Sequence, residues 1–139
     1  MTFKYRRATP HDAETLRALH VLTFPTDDHE NYLEGFWWIV EDAGEPCAFA
    51  GMRESFTLPG ALYLSRCGVL ASHRGKGIQR TLLTRRLAHA KRIYAPAAIS
   101  TTLNNIPSAN NLIRAGFRLY RPEDPWGSAG TLYWLKELT

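Results

Sequence analysis

The sequence predicts an α/β fold with one mixed, mostly antiparallel sheet of six or seven strands and helices on both faces. The main ground is the order of the segments, in which strand-like runs and helical patterns follow one another as β-α-β-β-β-α-β-α-β-β, with room for a short second helix after the first. A second ground is that three consecutive strands are separated only by short turns, which is typical of antiparallel neighbours. The length of 139 residues suits one domain over residues 1–139, because either half alone would bury little core.

The N-terminal third is predicted to hold a strand, a helix and a loop. Residues 3–8 have the pattern of a short strand. A helix is expected from Thr9 to about Leu22, because Thr9 and Asp12 have the spacing of a capping box and a proline stands between them. Residues 26–31 follow as an acidic loop or a short second helix.

A three-stranded meander is predicted next. Residues 36–41 and 46–54 are rich in aromatic and β-branched side chains, and the glycine turn at 42–45 between them favours a hairpin. Residues 61–70 form the third strand. Gly68 interrupts this strand, and an isolated strand glycine indicates a bulge or a close backbone approach.

A long helix is predicted after a second glycine turn. Its apolar residues, from Ile78 to Tyr94, recur in steps of three and four and trace one helical face. The basic residues of the segment, Arg86 among them, are expected to lie off that face.

The C-terminal third is predicted to contain three strands and one helix. Residues 97–101 form a strand, and Asn105 can cap a helix that stops at Gly116. Residues 117–120 and 131–135 are the last two strands.

Composition narrows the class of protein. Apolar residues make up 45% and charged residues 22%, which is ordinary for a soluble globular protein. No apolar run approaches the roughly 20 residues that cross a bilayer, and residues 1–7 lack a signal-peptide pattern. Cys47 and Cys67 are too few for a disulfide framework, so we interpret them as reduced thiols. We expect a cytoplasmic protein that does not bind membranes.

The turn Arg74-Gly75-Lys76-Gly77-Ile78-Gln79 has the features of an anion site. The first amides of a helix lack intrahelical partners, and the helix dipole adds partial positive charge there. Two glycines let such a backbone curl around a phosphate. Neither the P-loop spacing nor the third glycine of the dinucleotide fingerprint is present. Spacing alone leaves open that the glycines only make a tight turn.

The distribution of charge favours an anion site over a nucleic-acid site or a metal site. The net charge is +4, and much of the positive charge falls between Arg74 and Arg92, which suits a compact phosphate-bearing ligand. A nucleic-acid partner is not favoured, because no interleaving of aromatic and basic residues is found. No metal is expected: the histidines lack a zinc pattern, and we interpret Asp27-Asp28-His29-Glu30 as a solvated loop that can also attract a cationic amine.

These motifs resemble those of the GNAT acetyltransferases. The family's cofactor motif, Arg/Gln-x-x-Gly-x-Gly/Ala after a Val-x-Pro, is matched by the frame from Val69 to Gln79. Ala71 stands in place of the usual proline, and Gln79 stands in place of the last small residue. A second block is also similar, since Asn105 stands eleven residues before Gly116-Phe117.

The resemblance implies a GNAT-like fold and acetyl-CoA as cosubstrate. It implies that the backbone of Val69 and Leu70 pairs with the pantetheine amides, like an added strand. It also implies that the diphosphate is held by Arg74, Gly75, Lys76, Gly77, Ile78 and Gln79. The pantetheine arm or the phosphates would be contacted by Asn105, Ser108 and Asn111.

The resemblance implies direct transfer of the acetyl group to a primary amine of a small-molecule or peptide acceptor. The family's usual catalytic groups are absent, because Leu112 replaces the tyrosine and Tyr63 replaces the glutamate of histone-type relatives. We therefore take Glu54 as the candidate base and Tyr120 as a substitute acid. The alternative is a catalytically idle acyl-CoA-binding sensor. The tryptophans are core residues or walls of an acceptor pocket, and a homodimer through the last strands is compatible with the sequence.

Overall fold

The computed structural model describes residues 2–139. The strands are β1 (Lys4–Arg7), β2 (Phe36–Asp42), β3 (Glu45–Glu54), β4 (Leu62–Val69), β5 (Ala97–Thr102), β6 (Arg118–Leu119) and β7 (Leu132–Glu137), and the helices are α1 (Ala13–Thr23), α2 (Ile78–Arg92) and α3 (Ile106–Arg114). Short 3₁₀ turns precede α1 and follow β4. The predicted order is confirmed, with the acidic segment after α1 forming a loop rather than a second helix.

All seven strands belong to one sheet, in the order β1-β2-β3-β4-β5-β7-β6. β1, β2 and β3 are antiparallel neighbours, and β7 is antiparallel to both β5 and β6. β4 and β5 are parallel, because the chain returns to the same edge through α2. The predicted mixed, mostly antiparallel sheet is therefore confirmed.

The β2–β3 hairpin is closed by two residues with left-handed backbone. Ala43 and Gly44 have φ values of 50° and 84°, and Asp42 pairs with Glu45 across the turn. The two-residue turn whose twist matches that of the flanking strands requires a positive φ at both of its central residues. The predicted hairpin is confirmed.

The described residues form two compact units. The first takes in residues up to Arg53 together with Ser65–Arg85, and the second takes in Glu54–Leu64 and Arg86–Thr139. The first has a core cluster of Leu16, Leu19, Tyr32, Trp37, Ile39 and Phe49. The buried side chains of the second include Leu62, Ala98, Ile99, Leu112, Phe117 and Trp134. One domain over residues 1–139 stays a prediction.

No helix within residues 2–139 is long and apolar enough to cross a lipid bilayer.

The structure corrects two positions on α2. Tyr94 is 90% exposed, because α2 ends at Arg92 and Tyr94 has left-handed backbone with a φ of 61°. Arg86 is only 4% exposed. It follows Leu82 by four residues and Leu83 by three, which places it on the buried side of the helix. The expectation that Arg86 lies off the apolar face was therefore wrong.

The start of the first helical segment is fixed by Asp12. Its carboxylate accepts the Thr9 backbone N–H at 2.8 Å and two guanidinium N–H groups of Arg6, each at 2.9 Å. The Arg6 hydrogen bonds, followed by the Thr9 backbone bond, hold the pKa of Asp12 well below its usual range. The predicted capping box is therefore present.

We expect Asp12→Asn to lower the free energy of unfolding at pH 7 by about 1 kcal/mol, the usual size of a cap or a partly exposed ion pair. Because folding depresses the pKa of Asp12, its contribution is present above the unfolded carboxyl pKa of about 4 and is lost as the pH falls toward the lower folded value. Urea denaturation at pH 7, 4 and 2.5 should show the gap between wild type and variant narrowing below pH 4. A gap that stays constant over this range would contradict the assignment.

Candidate functional site

The glycine turn lies between the end of β4 and the start of α2. A 3₁₀ turn over Ala71–His73 leads to Arg74, and α2 begins at Ile78. Gly75 and Gly77 have φ values of 76° and 80°, in the left-handed region that favours glycine. A Cβ added at either position would meet nothing within 4 Å. The two glycines therefore serve the backbone conformation and leave open space beside it.

The turn presents cationic side chains and helix-start amides. Arg74, Lys76 and Arg80 are exposed. The Thr81 N–H donates to the Gly77 carbonyl at 3.1 Å, so the hydrogen-bond ladder of α2 starts there. Open space, helix-start amides and three cations fit a diphosphate in both shape and charge.

The backbone at the end of β4 is partly committed within the chain. The Leu70 N–H donates to the Cys47 carbonyl of β3 at 2.9 Å, and the Leu70 carbonyl accepts the His73 N–H at 2.8 Å. Arg74 Nε donates to the Val69 carbonyl at 3.2 Å. The pairing with pantetheine predicted for these residues would therefore use Val69 and the second lone pair of the Leu70 carbonyl rather than the Leu70 N–H.

Gly68 allows a close approach between β4 and two neighbouring side chains. A Cβ at Gly68 would lie 2.5 Å from Thr23 Oγ1 and 2.7 Å from Phe49 Cε1. No L side chain fits at these distances. Of the two predicted alternatives, the close backbone approach is confirmed.

The side chains that hold the glycine turn in position were not predicted from the sequence. His73 Nε2 lies 2.8 Å from Asp42 Oδ2, and His73 Nδ1 lies 2.8 Å from Ser72 Oγ. The ring of Phe3 packs edge-on against the imidazole, with centroids 6.0 Å apart. Because Asp42 is the last residue of β2, this chain of contacts ties the β2–β3 hairpin to the residue just before Arg74.

The other predicted cofactor motif, which begins at Asn105, lies in the second unit and includes the start of α3. Asn105 Oδ1 accepts the Ser108 N–H at 3.1 Å, so Asn105 is the predicted N-cap. Gly116, with a φ of 96°, follows the helix as predicted. Asn105 is exposed, and Ser108 and Asn111 are half-buried. The Asn105 cap uses only the side-chain oxygen, which leaves its amide group to donate.

The two predicted catalytic residues differ in their surroundings. Glu54 is the last residue of β3, and its exposed carboxylate makes no hydrogen bond to another side chain within residues 2–139. Tyr120 follows β6, and its hydroxyl is buried without a hydrogen-bond partner in the part of the chain that the structure describes. Burial, with a smaller effect of Tyr133 and Tyr63, raises the pKa of Tyr120. This phenol therefore stays protonated at neutral pH and can act as a proton donor.

The acidic loop after α1 is ion-paired rather than simply solvated. Arg66 of β4 lies 2.8 Å from Asp27 Oδ2 and 3.2 Å from Glu30 Oε2, and its guanidinium stacks on Phe24 at 5.0 Å. Two of the loop's carboxylates thus share one arginine, whose single positive charge offsets one of their two negative charges and weakens the loop's predicted attraction for a cationic amine. Within residues 2–139 no three His, Cys, Asp or Glu side chains are grouped to hold a metal ion.

The family model described as "Acetyltransferase (GNAT) family" matches residues 5–117. The chain belongs to the GNAT acetyltransferase family. The family model spans both the turn and the start of α3, so the resemblance inferred from the two motifs is confirmed. A comparison with curated proteins gives no significant match.

Solved GNAT structures share the whole fold of the chain. An acetyltransferase from Bacillus subtilis in complex with CoA is 16% identical with a TM-score of 0.79, covering 99% of this chain and 100% of that one. The protein yncA from Salmonella typhimurium, with its cofactor acetyl-CoA, is 17% identical with a TM-score of 0.78, covering 100% and 95%. The ribosomal-protein-S18-alanine N-acetyltransferase from Escherichia coli is 11% identical with a TM-score of 0.79, covering 99% and 95%. At these identities the likeness shows a common fold.

This GNAT chain departs from the family pattern at the position of the usual acid. Leu112, which stands where many relatives have a tyrosine, is 6% exposed and belongs to the interior of the second unit. Its side chain has no proton to give.

We expect loss of the His73–Asp42 contact to make the backbone of the glycine turn more mobile. His73→Ala or Asp42→Ala should speed hydrogen exchange at the Leu70 and His73 amides about fivefold, because a hydrogen bond of this kind contributes about 1 kcal/mol. Arg118→Ala is the matched control, since Arg118 and Glu137 form an exposed ion pair at 3.3 Å in the other unit. Unchanged exchange at both amides in both variants would show that the contact does not hold the turn.

Proposed function

We propose that the protein transfers an acetyl group from acetyl-CoA directly to a primary amine of a small-molecule or peptide acceptor. The observation that supports this most is the turn before α2, with its two left-handed glycines and exposed cations, in a chain of the GNAT family. The Bacillus subtilis and Salmonella typhimurium proteins of the same fold were solved with CoA and acetyl-CoA. Acetyl-CoA supplies the activated thioester.

The proposed cofactor contacts use two kinds of group. In the first unit, backbone amides from Gly75 to Gln79 bind the diphosphate oxygens, and Arg74 and Lys76 add positive charge around them. The backbone of Val69 and Leu70 holds the pantetheine arm. In the second unit, the polar side chains at the start of α3 contribute further contacts to the pantetheine arm or the phosphates, and these are Asn105, Ser108 and Asn111.

The transfer step requires one proton acceptor and one proton donor. The ammonium form of the amine first releases one proton to solvent. The neutral nitrogen then forms a bond to the acetyl carbonyl carbon, the carbon–sulfur bond breaks, one further proton leaves the nitrogen and the thiolate takes up one proton. We assign the proton that leaves the neutral nitrogen to the carboxylate of Glu54, directly or through water, and the hydroxyl of Tyr120 supplies the proton of the thiolate. An exposed carboxylate suits a base that must also release its proton to solvent.

A second candidate is a catalytically idle acyl-CoA-binding sensor, which the buried Leu112 at the usual tyrosine position favours. A screen of primary amines with purified protein and acetyl-CoA, read out as free CoA thiol, separates the two functions. Release with at least one amine supports the transferase. Acetyl-CoA binding without release in any amine class supports the sensor. Absence of both binding and release would overturn both proposals.

The turn can be tested with Gly77→Asp. This change adds bulk and negative charge where the diphosphate is proposed to bind, so acetyl-CoA affinity should fall at least tenfold, about 1.4 kcal/mol, while far-UV circular dichroism stays native. Gly130→Asp is the matched control, because Gly130 also has a positive φ, of 89°, and lies in the other unit. Calorimetric titration with acetyl-CoA measures both. Equal affinity in wild type and Gly77→Asp would place the site elsewhere.

The role of Tyr120 predicts opposite effects on stability and turnover. Tyr120→Phe removes a buried hydroxyl that has no partner, so the melting temperature should not fall. If that hydroxyl protonates the thiolate, kcat should fall at least tenfold, about 1.4 kcal/mol of barrier. A lower melting temperature together with an unchanged kcat would identify Tyr120 as a structural residue.

The role of Glu54 predicts a loss of turnover without a loss of cofactor affinity. Glu54→Gln keeps size and polarity but cannot accept a proton, so kcat should fall by about 10² while the Kd for acetyl-CoA is preserved. Glu45→Gln, at the exposed start of the same strand, is the control and should keep wild-type turnover. Wild-type turnover and an unaltered pH–rate profile in Glu54→Gln would remove this residue from the mechanism.

A further inference from the structure

Four aromatic side chains of the second unit form what we call the aromatic cluster: Tyr63, Tyr120, Trp126 and Tyr133. Ring centroids are 6.2 Å apart for Tyr63 and Trp126, 4.8 Å for Trp126 and Tyr133, and 6.4 Å for Tyr120 and Tyr133. The three interplanar angles are 78°, 70° and 81°. In each of these three pairs the edge of one ring lies against the face of the other.

Trp126 is held in the cluster by a folded connection between β6 and β7. The Gly127 N–H donates to the Tyr133 hydroxyl at 2.9 Å, and the Thr131 N–H donates to the Ser128 carbonyl at 3.1 Å. A Cβ on Gly127 would lie only 2.6 Å from Thr131 Oγ1, so the connection folds closely on itself. Trp126 is nevertheless 43% exposed, whereas the other three tryptophans are at most 6% exposed. It combines a fixed position with an accessible indole.

The cluster lies where the backbone ladder between β4 and β5 stops. The last paired residues are Tyr63 and Ile99, although β5 continues to Thr102. Beyond them, side-chain hydroxyls make the contacts: Tyr63 hydroxyl lies 2.9 Å from Thr101 Oγ1, and Ser100 Oγ donates to the Leu64 carbonyl at 3.3 Å. This end of the ladder is therefore bordered by polar hydroxyls and aromatic rings rather than by a continuous sheet.

One hydroxyl of the cluster lacks a partner. Tyr63 and Tyr133 hydroxyls bond to Thr101 and to the Gly127 N–H, but the buried Tyr120 hydroxyl bonds to nothing within residues 2–139. A buried polar group without a hydrogen bond costs about 1–3 kcal/mol. The side chains that touch one another here are all uncharged, an environment that suits apolar groups and cations and is poor for carboxylates.

We propose that the aromatic cluster binds the acceptor, and that the acceptor is a primary amine carried on an apolar or aromatic body. This inference rests on the proposed function and names its substrate class. The ring surfaces contact the carbon body and attract the ammonium form before it loses its proton. Trp126, as the most exposed ring, is the residue that selects this class.

The test compares 2-phenylethylamine with ethanolamine as acceptors. Trp126→Ala should raise the KM for 2-phenylethylamine about tenfold and change the KM for acetyl-CoA by less than about twofold. Trp126→Phe keeps an aromatic ring and should restore a KM within about threefold of wild type. Tyr94→Ala is the control, because Tyr94 is a 90% exposed aromatic residue outside the cluster, and it should leave every constant unchanged.

The outcomes separate this inference from the proposed function. If CoA is released with ethanolamine as readily as with 2-phenylethylamine, and Trp126→Ala alters neither KM, the transferase stands and the aromatic acceptor site is overturned. If neither amine is acetylated, calorimetry with 2-phenylethylamine decides the inference directly. Binding to wild type that is lost in Trp126→Ala supports the site, and the absence of binding to wild type overturns it.

Discussion

The reversal from β4 into α2 is the constraint on which the proposed chemistry depends. At that point the backbone must leave an extended strand, take two left-handed conformations at Gly75 and Gly77, and enter a helix whose first amides have no helical acceptor. A chain can meet this requirement with glycines, but glycines alone give a loose turn. His73 supplies the missing rigidity, because its imidazole bonds both to its neighbour Ser72 and to Asp42 of the hairpin. Preorganisation of this kind lowers the entropic cost of binding a ligand.

The two units contribute different physical chemistry. In the first, charge dominates: cationic side chains flank the turn, and Arg66 forms ion pairs with Asp27 and Glu30 of the acidic loop. In the second, the groups beside the end of the β4–β5 ladder are neutral aromatic rings and hydroxyls. A cationic environment suits the phosphates of a nucleotide-like cosubstrate, and a neutral aromatic one suits an amine that must lose its proton before attack.

Local patterns in the sequence predict most of the fold, because local chemistry decides them. The hairpin at Ala43 and Gly44, the Asn105 cap and the glycine turn each depend on residues a few positions apart. The contacts that were not predicted join distant residues. Asp42 and His73 are 31 positions apart, and Asp27 and Arg66 are 39 apart, so no spacing rule connects them. The burial of Arg86 shows a further limit of prediction from sequence. Helical spacing places this residue on the buried side of α2, although charged side chains are mostly exposed. The burial of the Tyr120 hydroxyl likewise depends on packing between distant residues, which no local pattern predicts.

We propose that the turn before α2 recognises a diphosphate. The most direct measurement compares the Kd of acetyl-CoA with that of S-acetylpantetheine, which keeps the thioester and the pantetheine arm but lacks the nucleotide diphosphate. Several charge-assisted hydrogen bonds to the diphosphate, each contributing about 1.5–3 kcal/mol, predict at least a 100-fold tighter Kd for acetyl-CoA. Equal Kd values for the two compounds would show that the turn does not bind the diphosphate, and would contradict the account.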